Sequence, residues 1–178
     1  MRKFSIFFSG LFLLAACNNS NTSANIETKP DSAKAAVNYA YTPKEMPNWE
    51  MGSPEHTAMV LNSLKKYETG KLDELAADFA DSVWLTADQF EFSGTRDSLI
   101  KIFKKDWEKT KSMTVEMHDW EAVHGKENKE DWVSLWYKTT WTAKDGKVDS
   151  AMYMDDIKIE NGKIRGIDSK MRRFMVKK

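Results

Sequence analysis

Tyr67-Glu68-Thr69-Gly70-Lys71-Leu72-Asp73-Glu74-Leu75-Ala76-Ala77-Asp78-Phe79-Ala80-Asp81-Ser82-Val83 passes from one periodicity to another in a single short stretch. Gly70 ends a preceding helix, because a residue without a Cβ enters the left-handed conformation that closes a helix at little cost. Leu72, Leu75, Ala76 and Phe79 recur at helical spacing and mark a second, shorter helix. Val83, Trp84 and Leu85 are adjacent apolar residues and predict a strand over 82–86. Working back toward the N-terminus, Ser53-Pro54-Glu55 opens the first helix: a capping hydroxyl, a proline at the first helical position and an acid in the first turn. Its apolar stripe is Val60, Leu61, Leu64 and Tyr67. Working forward, Ser93-Gly94 reads as a turn and Thr95 as the cap of a third helix carrying Leu99, Ile100, Phe103 and Trp107.

Beyond Lys111 the period shortens to two. Four long strands are expected over 113–124, 131–143, 148–159 and 163–174, separated by turn-forming stretches at 125–130, 144–147 and Asn161-Gly162. The first of them changes face: Met113, Val115 and Met117 alternate on one side, Trp120 and Ala122 on the other. A bulge near His118–Asp119 reconciles the two halves and bends the sheet. Helices followed by a run of antiparallel strands predict an α+β domain.

The stretch 67–83 resembles the start of SnoaL-like domains of the NTF2-like superfamily. Gly94 with Ile100 resembles the approach to that family's third helix, and Asp155-Asp156-Ile157-Lys158-Ile159-Glu160-Asn161-Gly162-Lys163-Ile164 its closing hairpin. The resemblance covers about 53–174. It implies a cone: a curved antiparallel sheet around about three helices, with an open end that is often a pocket. It does not imply one activity, since the superfamily holds isomerases, cyclases, dehydratases and binding modules. It implies no cofactor.

Asp155 is the candidate catalytic residue. Strand alternation places it with Tyr153, Ile157 and Ile159, facing inward near the mouth of the cone, where burial raises a carboxyl's pKa and suits it to proton transfer. By resemblance it matches the position where ketosteroid isomerase holds a neutral, hydrogen-bonding Asp. The other positions of that enzyme depart: Ala87 stands where its catalytic Asp would follow the Ala-Asp segment, Asp88 comes one residue late, and Ser63 stands where its tyrosine would lie. Tyr153, His118, Trp120 and Asp168 are the expected pocket residues, with His118 a base alongside Asp155 or Asp168. The alternative for Asp155 is an ion pair or a solvated strand end. His118 and His124 are six residues apart on one strand, about 20 Å at roughly 3.4 Å per residue, so no shared metal is expected. Trp132 and Trp136 lie on one face of their strand, Tyr137 and Trp141 on the other. One set belongs to the core and the other to solvent, a ligand or a homodimer interface.

The N-terminus reads as an address. Met1-Arg2-Lys3 is a positive start, and Phe4 to Leu14 is an apolar stretch too short for a spanning helix, which needs roughly twenty residues. Leu14-Ala15-Ala16-Cys17 resembles a bacterial lipobox, which implies a signal peptide over 1–16, cleavage, and acylation of Cys17. Cys17 is the only cysteine, so disulfides and cysteine metal clusters are excluded. Residues 17–50 then read as the lipidated cysteine and a tether, polar over 18–36, and Tyr39, Tyr41, Met46 and Trp49 are candidates for an arm along the domain. Residues 51–178 form the domain. The expected location is the cell envelope, anchored through Cys17. Lys+Arg and Asp+Glu both number 27, and removing Arg2 and Lys3 leaves 25 − 27 = −2, a balance that offers no electrostatic footprint for nucleic acid. Arg172, Arg173, Lys177 and Lys178 make a small basic end. No phosphate loop, dinucleotide fingerprint, nucleophile elbow or zinc motif occurs. The expected role is a module binding a small hydrophobic ligand or a protein, with acid–base catalysis through Asp155 as the alternative.

Overall fold

The computed structural model describes residues 39–44 and 48–174. The signal peptide, Cys17 and nearly all of the expected tether lie outside the described residues, as do Met46, Lys177 and Lys178. The chain divides into units 1–42 and 43–178, and every helix and strand described belongs to the second. No helix among the described residues is long and apolar enough to cross a membrane.

The elements run β1 (Trp49–Met51), α1 (Pro54–Glu68), α2 (Leu72–Ala76), β2 (Phe79–Ala87), β3 (Phe90–Thr95), α3 (Arg96–Trp107), β4 (Thr110–Gly125), β5 (Asp131–Ala143), β6 (Val148–Glu160) and β7 (Lys163–Arg173). One seven-stranded sheet has the order β1-β4-β5-β6-β7-β2-β3. All its pairings are antiparallel except β2 with β7. It is curved and unclosed, an α+β cone.

The local signals explain the helices. The Ser53 hydroxyl accepts from the amides of Glu55 and His56, and Thr95 from that of Ser98, so two otherwise orphaned helix N-termini are satisfied. Gly70 takes a φ of 71° and brings the α3 residue Trp107 onto the turn that ends α1: a Cβ on Gly70 would lie 3.5 Å from that ring. Val60, Leu72, Leu75 and Leu99 sink from the helices into the concave side of the sheet, against Phe79, Val83, Val133, Leu135, Ile157, Ile159 and Ile164.

Two features differ from the sequence reading. Ser93 and Gly94 do not turn the chain; they belong to β3, and the turn is Asp88–Gln89, with Asp88 at a φ of 41°. Trp49 and Glu50 join the sheet by pairing with β4, so Trp49 forms an edge strand, while Tyr39 and Tyr41 are exposed.

Two inserted residues set which side chains face the concave side. In β4, Met117 opposes Tyr137 and Asp119 opposes Trp136, leaving His118 as the extra residue. Met117, Trp120 and Ala122 therefore share the concave face. In β7, Ile164 opposes Ile159 and Gly166 opposes Lys158, leaving Arg165 extra. Ile164, Ile167 and Ser169 then face the core, and Asp168 is turned to the convex side.

β4 is paired by β1 only over Val123–Gly125, and the rest of its outer edge is open to pairing with other chains. Side chains blunt it. Glu68, held by Lys65 at 2.7 Å, accepts the Val115 amide at 3.1 Å, and Asp119 accepts the amide of Trp120 at 2.9 Å.

Candidate functional site

Asp155 lies on the concave face of β6 and is 7% exposed. Its two oxygens are both engaged. The Tyr137 hydroxyl donates to Oδ2 at 2.5 Å, and the Ser169 hydroxyl donates to Oδ1 at 2.6 Å. Register explains the meeting: Leu135, Asp155 and Ser169 are cross-strand partners in one row, and Tyr137 sits one pleat along from Leu135. Burial raises the Asp155 carboxyl above its ordinary value, and the two hydroxyls oppose that rise by favouring the charged form. The same burial, reinforced by the neighbouring carboxylate, pushes the Tyr137 hydroxyl well up.

Tyr153 stacks on Tyr137, centroids 5.4 Å apart and planes 12° from parallel. Tyr67 of α1 packs edge-on against Phe103 at 5.2 Å, and burial, aided by Asp106, raises its hydroxyl to about 12. Aromatic rings from α1, α3, β5 and β6 thus fill the mouth side of the cone above Asp155. The buried indole nitrogen of Trp107 has no hydrogen-bond partner among the described residues.

Of the residues expected beside Asp155, Tyr153 is there. His118 and Asp168 are not. His118 is the bulged residue of β4, is exposed, and places Nε2 3.7 Å from Glu116. Asp168 faces the convex side, opposite Asp156, and the Lys170 ammonium bridges the two at 2.8 and 3.1 Å. Ser169 occupies the position beside Asp155 instead. Of the isomerase positions, Ala87 is paired with Ser169, Asp88 sits in the β2–β3 turn, and the buried Ser63 hydroxyl is 2.7 Å from Asp78, which also binds Lys66.

Trp120 faces a different opening. It is half exposed and, with Met51, Pro54, Ala58, Leu61 and Glu121, lines a groove of about 470 Å³ between the N-terminal half of α1 and β4. The floor is apolar, with Ala122 beneath. A second recess of about 400 Å³ is lined by Phe79, Asp81, Arg96, Glu160 and Lys163. Neither opening reaches Asp155. The groove was missed in the sequence because α1 and β4 are far apart in the chain and their packing is a tertiary fact; the exposed Met51 next to Gly52 was its only local signal.

A polar cluster lies near the groove. His124 Nδ1 is 2.9 Å from Asp131 Oδ1, and His56 Nδ1 is 3.9 Å from the same oxygen. Among the described residues no group of three or more His, Cys, Asp or Glu side chains is placed to hold a metal ion.

On the convex face Trp84 and Trp132 approach to 6.4 Å, and Lys158 lies over Trp132 while pairing with Glu130. Trp84 lies flat across Gly166, where a Cβ would come within 1.9 Å of its ring.

Solved structures share this arrangement of a cone around helices. An LEH-like epoxide hydrolase from M. tuberculosis superposes with a TM-score of 0.56 at 13% identity, over 66% of this chain and 83% of its own. AusH from Aspergillus nidulans gives 0.56 at 12% identity, over 68% and 86%. An NTF2-like protein of unknown function from Burkholderia pseudomallei gives 0.54 at 14%, over 66% and 90%. The fold is NTF2-like. At such identities the NTF2-like likeness carries the architecture and no activity. No protein-family model matches the chain, and no curated protein matches its sequence.

Proposed function

We propose that the chain is a lipid-anchored module of the cell envelope whose NTF2-like domain binds a small hydrophobic ligand in the groove between α1 and β4. The observation that carries this reading is the groove itself: about 470 Å³, floored by apolar side chains and flanked by the half-exposed Trp120 and the exposed Met51. Sites for small molecules are apolar recesses of this order of size with few polar groups. The cluster around Asp155 supports the same reading from the other side. Its carboxyl is closed off from both openings, and each oxygen already holds a hydroxyl donor.

The anchor rests on the lipobox-like Leu14-Ala15-Ala16-Cys17. Cys17→Ser is expected to move the protein from the membrane fraction to the soluble fraction and to abolish labelling by a fatty-acid analogue; unchanged labelling refutes it. Ligand binding is tested by thermal unfolding of the Cys17→Ser chain against a panel of hydrophobic metabolites. A specific rise in Tm that Ala58→Trp removes supports the groove. Identical unfolding with every compound refutes it.

The raised Asp155 carboxyl favours a second reading, acid–base chemistry on a hydrophobic small molecule. It requires the aromatic mouth to open, and Asp155→Asn must then abolish turnover while the fold survives. The Trp84–Trp132 pair on the convex face supports association of two copies through the sheet, which sedimentation measures directly.

A further inference from the structure

We infer that the groove between α1 and β4 selects an amphiphile with a cationic head, an alkylammonium in chemical class; this rests on the groove being the ligand site. The argument is one of charge complementarity around an apolar floor.

The groove's single ionisable lining residue is Glu121, exposed at the rim beside Trp120. Glu121 has no ion-pair partner among the described residues; the nearby cations are engaged elsewhere. Lys126 pairs with Glu50 at 3.2 Å, and His118 faces Glu116 at 3.7 Å. Along β4 the exposed acids Glu116, Asp119 and Glu121 follow one another, so the rim is acidic over the length of the opening. An anionic head would meet these carboxylates with no cation to receive it.

The one feature that could attract an anion is the N-terminus of α1, whose first turn borders the groove at Pro54 and Thr57. That end is already satisfied. Ser53 Oγ accepts the amides of Glu55 and His56 at 3.1 and 3.3 Å, the Ser53 carbonyl accepts the amide of Thr57 at 3.3 Å, and Pro54 has no amide hydrogen to offer. Glu55, hydrogen-bonded to Ser53 at 2.5 Å, adds a negative charge to the same turn.

Trp120 supplies the second half of the recognition. An indole half exposed at the mouth of an apolar groove, next to an unpaired carboxylate, offers a π face and a counter-charge to one quaternary or primary ammonium. The hydrocarbon tail would lie on Leu61, Ala58 and Ala122.

The test is titration calorimetry on the full chain carrying Cys17→Ser, which cannot be acylated. Decyltrimethylammonium, decanoate and 1-decanol are compared below their aggregation concentrations. The expected result is that decyltrimethylammonium binds about tenfold more tightly than decanoate, the equivalent of about 1.4 kcal/mol. Glu121→Gln, at an exposed position, should erase most of that preference while leaving 1-decanol unchanged, and Ala58→Trp should remove binding of all three. Equal or tighter binding of decanoate overturns the head-group assignment and leaves the groove as a ligand site. Selectivity unchanged by Glu121→Gln also overturns it. No binding of any of the three, or binding insensitive to Ala58→Trp, overturns the groove reading itself.

Discussion

Replacing Tyr137 by Phe removes a single oxygen and leaves the ring to stack on Tyr153 as before. No cavity opens beyond that oxygen, so the change reports on one hydrogen bond: the 2.5 Å contact to Asp155 Oδ2, with both residues less than a tenth exposed. With Asp155 ionised the lost bond is charge-assisted and the cost is about 1.5–3 kcal/mol. With Asp155 protonated the lost bond is neutral and the cost drops to about 0.5–1.5 kcal/mol. The variant is therefore more damaging at high pH than at low. The wild-type protein has its own slope. Because burial lifts the folded carboxyl above the ordinary Asp value of 3.8, the native state holds a proton that the unfolded chain has released anywhere between 3.8 and the raised value. The contribution of Asp155 to stability is thus fully present below 3.8, is lost as pH rises through the folded value, and is constant above it. Urea unfolding at a series of pH values reads both effects. At neutral pH the midpoint for Tyr137→Phe should fall by about 1 M for an m-value of roughly 2 kcal/mol/M, with m itself unchanged. In an Asp155→Asn background the penalty should shrink to the neutral-bond range. A loss under about 0.5 kcal/mol at neutral pH, or the same loss on both sides of the titration, refutes the account of Asp155 as a buried carboxylate held by Tyr137.

Two further substitutions test the sheet. Gly166→Ala places a methyl 1.9 Å from the Trp84 ring, so Trp84 must leave its seat beside Trp132; the expected loss is about 1–3 kcal/mol together with a red-shifted tryptophan emission, and unchanged emission counts against the packing described. Glu68→Ala frees the Val115 amide on the open edge of β4 and should make sedimentation concentration-dependent, where the wild-type edge is blunted; a variant that sediments like the wild type refutes that role.

Much of the architecture was legible because it is written in local chemistry. Ser53-Pro54 and Thr95 mark helix starts by what their side chains can accept, Gly70 marks a stop, and period-two alternation gave β5 its boundaries at Asp131 and Ala143. The β4 bulge was legible too, because apolar residues had to change parity somewhere between Met117 and Trp120. β3 was not: Phe90-Glu91-Phe92 is too short an alternation to compete with the turn signal of Ser93-Gly94, and the real turn relies on a non-glycine residue, Asp88, at positive φ. Asp168 was misplaced for a related reason. The parity of β7 changes at Arg165, a charged residue, and the only mark in the sequence is Gly166, which a strand tolerates where another group approaches closely. Tyr137 and Ser169 could not be read as partners of Asp155, since cross-strand register is set by the whole sheet.

The two extra residues decide the candidate sites more than the fold class does. Without His118 in β4, strict alternation from Met117 would send Trp120 to the convex face and leave the groove without its aromatic wall. Without Arg165 in β7, alternation from Ile164 would bring Asp168 rather than Ser169 to the inner face, setting a second carboxylate in the row of Asp155. Two carboxylates so close in a dry setting cannot both ionise cheaply, and one would be held protonated as a proton donor. With Ser169 there instead, Asp155 keeps two hydroxyl donors and no acidic neighbour on its own face. Asp156, the nearest like charge, lies across the sheet and is compensated by Lys170. The inserted residue in β7 thus turns a potential acid pair into a satisfied polar cluster, and the one in β4 builds the apolar groove. The chemistry of this cone follows from where parity is broken along two strands, which neither the number of its strands nor their order determines.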